Sequence, residues 1–209
     1  SLVRWGIPYV VVGGLRFYDR REIKDLLAYL RLLVNPADTV SLLRVINVPK
    51  RGIGKTTIQR LTDAANQLGI PLWDVVSDPE AVRSLGGRSA KGLLQFCELL
   101  NDLRQQVTEA APSELIQQVM EKSGYVRELI TEGTDEADER RRNLQELVNA
   151  ALQFQEENEE ADLEGFLATA ALSSDADSKD TAADRVTLMT LHSSKGLEFP
   201  VVCLVGLEQ

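Results

Sequence analysis

Two β-rich runs near opposite ends of the chain, PYVVVG (8–13) and VTLMTL (186–191), enclose a long stretch whose apolar residues recur at helical spacing. Each sheet face or helix stripe must bury itself against another layer, so the order strand, many helices, strands restricts the architecture. It predicts a mainly α fold: an all-helical insertion hung from the edge of an α/β domain, with both flanks present. A further strand is expected at about 200–205, in VVCLVG. The chain starts at Ser1 and stops at Gln209 just after that buried-type run, so it reads as an excised piece of a longer protein.

From Asp19 onward Ile23, Leu26, Leu27, Leu30 and Leu33 mark a helix closed by Asn35-Pro36. A second helix carries Leu42, Leu43, Val45 and Ile46 and ends at Pro49, and a third runs from about Thr56 to Gln67 and stops at Gly69. Pro71, Pro79 and Gly86-Gly87 punctuate a looser region with one short helix near Trp73. Helices are expected at about 90–108, 113–122, 137–158 and 162–172. In the 137–158 helix Leu144, Leu147, Val148, Ala151 and Phe154 form one apolar stripe. The acid-rich SSDADSKDTAAD (173–184) predicts a mobile loop.

The net charge of −9 conceals an asymmetry, +7 over residues 1–60 against −16 over 61–209. Such a division points to one basic working face on an acidic body. No apolar run approaches the roughly 18 residues of a membrane span, and the N-terminus lacks the pattern of a secretory signal. Cys97 and Cys203 have no C-x-x-C partner, which predicts two buried thiols in a reducing cytoplasm and no metal site.

GIGKTT (52–57) invites a phosphate-binding P-loop, but that pattern requires glycine where this chain has Pro49, and LLRVIN before it reads as helix. The alternative is a helix–glycine hairpin–helix. Gly52 and Gly54 permit backbone shapes closed to other residues, and Thr56 or Thr57 is placed to cap the next helix. The amides at that helix start, with Lys50, Arg51 and Lys55, suit sequence-independent contact with a phosphate backbone. A tight interhelical turn with incidental surface cations explains the same residues.

Between the last two apolar runs lies a polar loop with Thr190, the single histidine His192, Ser193, Ser194, Lys195, Gly196 and Glu198. Polar groups at a strand end sit where ligands bind in open α/β folds. By itself His192 is as well explained as a surface or packed histidine, and Phe17 and Tyr18 as core.

YVVVGGLRFYDRREIKD (9–25), VPKRGIGKTTIQRL (48–61) and VTLMTLHSSKGLEFPVV (186–202), in this order, resemble the UvrD/PcrA/Rep group of superfamily 1 DNA helicases over nearly the whole chain. The resemblance implies that 1–36 and 185–209 are flanks of the RecA-like subdomain 2A, the latter carrying motif V, and that 37–184 is the inserted helical subdomain 2B. It further implies a parent that unwinds duplex DNA 3′ to 5′ with ATP and Mg²⁺, in repair or replication. Lys50, Arg51, Gly52, Ile53, Gly54, Lys55 and Thr56 would contact duplex DNA. Gly13, Gly14, Phe17, Tyr18, Arg20, Thr190 and His192 would face the single strand, by stacking or phosphate contact. Lys195, Gly196 and Glu198 would lie toward the nucleotide. Walker A, Walker B and arginine-finger segments are missing from these residues, so this piece is expected neither to hydrolyse ATP nor to bind it alone. Its partners would be DNA and DNA repair proteins, with no membrane. Two rival readings are a regulatory module whose acidic helices dock a protein, and a piece of the related RecB/AddA-like recombination helicases.

Overall fold

The computed structural model describes residues 9–12, 17–179, 186–189, 191 and 194–205, with backbone alone for 9–12 and 173–179. Strand β1 (Tyr9–Val12) pairs in parallel with β2 (Val186–Met189), Tyr9 lying opposite Val186 and Val12 opposite Met189. Parallel neighbours cannot be joined by a tight turn and need a crossover. The crossover is the entire helical body, which leaves one strand and returns beside it.

That body contains α1 (Arg21–Val34), α2 (Thr39–Val45), α3 (Lys55–Leu68), α4 (Leu72–Ser77), α5 (Pro79–Leu85), α6 (Ala90–Arg104), α7 (Pro112–Lys122), α8 (Tyr125–Glu132), α9 (Asp135–Glu157) and α10 (Leu163–Lys179). One 3₁₀ turn, Phe17–Asp19, leads into α1 and another, Gly87–Ser89, into α6. Helix α1 is buried on nearly every side, with Ile23, Leu26, Tyr29, Leu30 and Leu32 fully enclosed and only Arg21, Lys24 and Arg31 exposed. Such a helix belongs at the centre of a bundle. It packs against α2, α6, α7, α9 and α10.

Two acidic side chains of α1 lie inside this core. The Asp25 carboxylate takes an ion pair from Arg44 Nε at 2.8 Å and a hydrogen bond from the Tyr125 hydroxyl at 2.8 Å. Glu22 accepts from Asn143 Nδ2 at 2.6 Å. Buried charge is costly unless it is paired or hydrogen-bonded: Asp25 has both kinds of partner, and Glu22 has the hydrogen bond from Asn143.

Several expectations are corrected. Helix α8 lies in a stretch for which the sequence predicts no element; it is eight residues held between Gly124 and Gly133, both with positive φ. The looser region holds two short helices, α4 and α5, the second started by Asp78, whose carboxylate accepts from the Glu80 amide, and by Pro79. Helix α10 runs to Lys179, beyond the expected stop at 172, because a helix already anchored by buried Leu163, Phe166 and Ala170 propagates at little cost. Residues 200–205 form no strand: Val201, Val202, Leu204 and Val205 are exposed, since no neighbouring strand among the described residues offers them a ladder. Cys203 is accordingly exposed, whereas Cys97 is buried with its thiol directed to the Val76 carbonyl. No helix among the described residues is long and apolar enough to cross a membrane.

Replacing Asp25 by alanine is expected to cost about 2–3 kcal/mol in urea unfolding, below a fully enclosed pair because Arg44 keeps access to water. Tyr125→Phe is expected to cost about 1 kcal/mol. An Asp25→Ala protein as stable as the parent contradicts this account of the core.

Candidate nucleic-acid interface

Helix α2 ends at Val45, and the chain turns through residues 46–54 into α3. One side chain organises this turn: Asn47 Oδ1 accepts from the amides of Arg51 at 2.8 Å and Ile53 at 3.1 Å. The Ile53 side chain is 2% exposed and plugs the core beneath the hairpin. Gly52 has φ +72°, a conformation that L side chains rarely adopt. Its carbonyl accepts from Ser89 Oγ at 2.9 Å, and the Ser89 hydroxyl lies 3.3 Å from that of Thr57. Gly92 on α6 faces the Arg51 carbonyl so closely that a Cβ there would sit 2.3 Å from the oxygen. The hairpin is therefore clasped to the start of α6.

Neither threonine caps α3. Its N-cap is Gly54, which is extended, and α3 starts at Lys55, one residue before the expected position; Thr56 and Thr57 lie in the first turn. Among the described residues the amides of Gly54, Lys55 and Thr56 donate to no protein group, the usual condition of a helix start. Lys50, Gly52, Gly54, Lys55 and Thr56 are exposed. Arg51 is turned inward. Its Nη1 donates to the carbonyls of Val45 at 3.3 Å and Pro49 at 3.1 Å, and its Nη2 to the Tyr29 hydroxyl at 2.6 Å and the Ser123 carbonyl at 3.3 Å.

To one side of the hairpin lies an open cleft of about 920 Å³, lined among others by Lys50, Arg127, Arg140, Glu128, Glu132 and Glu136. Its charges are mixed, and Arg140 pairs with Glu132 at 2.5 Å. Toward α6, exposed Arg88 and Lys91 flank Ser89 and Gly92. Sequence pattern alone does not single out these two cations, nor Asn47 and Tyr29. GGRSAKG carries a glycine turn followed by a helix start, as the hairpin does, and that was the available signal.

The residues expected at the single strand are divided. Phe17 and Tyr18 form an edge-to-face pair at 5.1 Å and pack half-buried against the core. Arg20 lies over the Phe17 ring at 5.7 Å, donates to Asn143 Oδ1 and faces Glu146 at 3.9 Å. Gly13, Gly14, Thr190 and His192 lie outside the described residues. Beyond β2, Ser194 Oγ donates to the Leu191 carbonyl and the Leu197 amide to the Ser194 carbonyl, a turn that leaves Lys195 and Glu198 exposed and holds Gly196 at φ +86°. Because β1 and β2 run parallel, Val12 and Met189 end at the same edge of the ladder, where ligands bind in α/β sheets.

The sequence matches the UvrD-like helicase C-terminal domain over residues 1–209. The chain belongs to this family. It is 40% identical over 215 residues to the ATP-dependent DNA helicase PcrA of Leuconostoc citreum. Against the proteins of the same name from Bacillus subtilis (strain 168) and Staphylococcus aureus (strain Mu50 / ATCC 700699), it is 37% identical over 215 residues and 38% over 211. Each match covers all of this chain and 29% of the relative, so the chain spans under a third of their length.

Within this UvrD-like domain the hairpin's anchor has a measurable pH signature. Burial pushes the Tyr29 hydroxyl up to about 12, with the Arg51 guanidinium opposing. The folded protein therefore favours the neutral phenol. Its contribution is complete below the unfolded value of about 10 and is lost as pH rises through about 12. Burial likewise raises Tyr125, aided by Asp25, and Cys97, so all three act in the same sense. Urea unfolding at rising alkaline pH is expected to show a loss of stability that is about 2 kcal/mol smaller in Tyr29→Phe. Equal losses in the two proteins contradict it.

Proposed function

We propose that this chain is the helical 2B insertion, with adjoining strands of the RecA-like subdomain 2A, of an ATP-dependent 3′-to-5′ DNA helicase. In this reading β1 and β2 belong to 2A, and the hairpin at residues 47–56 meets the backbone of duplex DNA. Relatives covering the whole chain are named ATP-dependent DNA helicases, which supports the reading for the parent.

The observation that carries the duplex contact is Gly54. Its φ of −82° is open to any residue, and a Cβ built on it meets nothing within 4 Å. Neither backbone strain nor internal packing calls for glycine at this position. A glycine beside three undonated amides and two exposed lysines allows a phosphate oxygen to approach the backbone closely. Lys50 and Lys55 add charge without sequence preference, and Arg88 and Lys91 extend the same basic side.

Lys195 and Glu198 offer one cation and one carboxylate on an exposed turn. Among the described residues no three carboxylate, imidazole or thiol groups converge to hold a cation, and the residues present do not by themselves fit a Mg²⁺–ATP site. Phosphoryl transfer needs a phosphate cradle and metal ligands acting together, which we assign to other parts of the parent.

Binding of the chain to a labelled duplex, followed by anisotropy over a range of salt, tests the interface. Lys50→Ala and Lys55→Ala are each expected to weaken binding and to make the log–log salt slope shallower by about 0.9. An unchanged slope in the double variant removes the hairpin from the interface.

A further inference from the structure

Arg51 sits in the middle of the basic hairpin, yet its contacts are those of an internal brace. Both terminal nitrogens of the guanidinium donate inward, to Tyr29, Val45, Pro49 and Ser123, and so join α1, the end of α2, the hairpin and the α7–α8 junction. The same group lies 5.2 Å from the centroid of the Phe96 ring and 5.9 Å from that of Tyr29. The backbone of Arg51 is engaged as well, through its amide on Asn47 and its carbonyl against Gly92. The guanidinium is half-buried, and a phosphate reaching it would compete with the four acceptors it already serves.

Tyr29 extends the brace inward. Its ring is fully buried, and its hydroxyl donates to the Val48 carbonyl at 2.5 Å while accepting from Arg51. The phenol and the guanidinium together hold the hairpin backbone at residues 45, 48 and 49.

We infer that Arg51, with Tyr29 behind it, is a positioning residue for duplex binding: it contacts no phosphate, but holds the hairpin in the one shape that presents the amides of residues 54–56 and Lys50 and Lys55 together. The inference rests on the reading of the hairpin as the duplex contact. Arg51 has a planar fork with fixed donor directions, which a lysine ammonium cannot reproduce.

The test compares Tyr29→Phe, Arg51→Met and Arg51→Lys with the parent chain, by duplex anisotropy over a range of salt and by thermal melting. Tyr29 cannot touch DNA, so any effect of Tyr29→Phe on the affinity of folded protein is transmitted through the brace. Tyr29→Phe and Arg51→Met are expected to weaken binding about fivefold or more at fixed salt, the loss of one or more net hydrogen bonds, with the salt slope unchanged. Arg51→Lys, which keeps the charge, is expected not to restore affinity. A slope shallower by about 0.9 in Arg51→Met, restored in Arg51→Lys, makes Arg51 a phosphate ligand and overturns the inference. Parent-like affinity in cooperatively melting Tyr29→Phe and Arg51→Met overturns it too, leaving the brace a role in folding alone. Should Arg51→Met not melt cooperatively, Tyr29→Phe decides. A parent chain that shows no salt-dependent duplex binding refutes the interface itself, which is a separate outcome.

Discussion

A helix enclosed on almost every side must satisfy its polar side chains inside the protein, and α1 carries three such groups in its interior. Glu22 is bound by Asn143 of α9, Asp25 by Arg44 of α2 and Tyr125 of α8, and Tyr29 by Arg51 of the hairpin. Each of these bonds ends on a different element, so one central helix sets the places of α2, α8, α9 and the turn before α3. Apolar packing alone would allow these helices to slide by fractions of a turn. Directional bonds from buried carboxylates and a phenol do not. The hairpin therefore behaves as an outgrowth of the core rather than a surface loop, and preorganisation of this kind lowers the ordering cost of binding.

Helix periodicity was legible in the sequence wherever an apolar stripe met a clear stop. Asn35 closes α1, Gly69 closes α3 in the left-handed conformation, and Leu144, Leu147, Val148 and Ala151 are fully buried as their spacing on α9 requires. What was not legible was set by tertiary partners. Helix α8 is too short to show a period and is visible only through its two bounding glycines. The VVCLVG run has the composition of a strand, but composition does not supply a neighbour. At the hairpin, glycine spacing and basic charge were legible from residues 48–61, whereas the direction of Arg51 was not, because its acceptors lie up to 72 positions away in sequence.

This bears on how charge is read. The +7 balance of the first sixty residues includes Arg20, Arg44 and Arg51, and each of them binds acceptors within the protein. A charge count assigns these arginines to a working face, while the fold assigns them to its own buried oxygens. The outward basic character around the hairpin comes mainly from lysines and from Arg88. Lysine suits sequence-independent backbone contact, being a flexible point charge, and arginine suits an internal brace with fixed donor directions. The division between the two residue types thus follows their chemistry.

Amide hydrogen exchange resolved along residues 47–58, with and without duplex DNA, tests the central claim most directly. The account predicts that the Arg51 and Ile53 amides, already bonded to Asn47, exchange slowly in the free protein. It predicts that the amides of Gly54, Lys55 and Thr56 exchange fast until duplex is added and slowly thereafter. Duplex binding that leaves those three amides fast, while slowing others elsewhere in the chain, would contradict it.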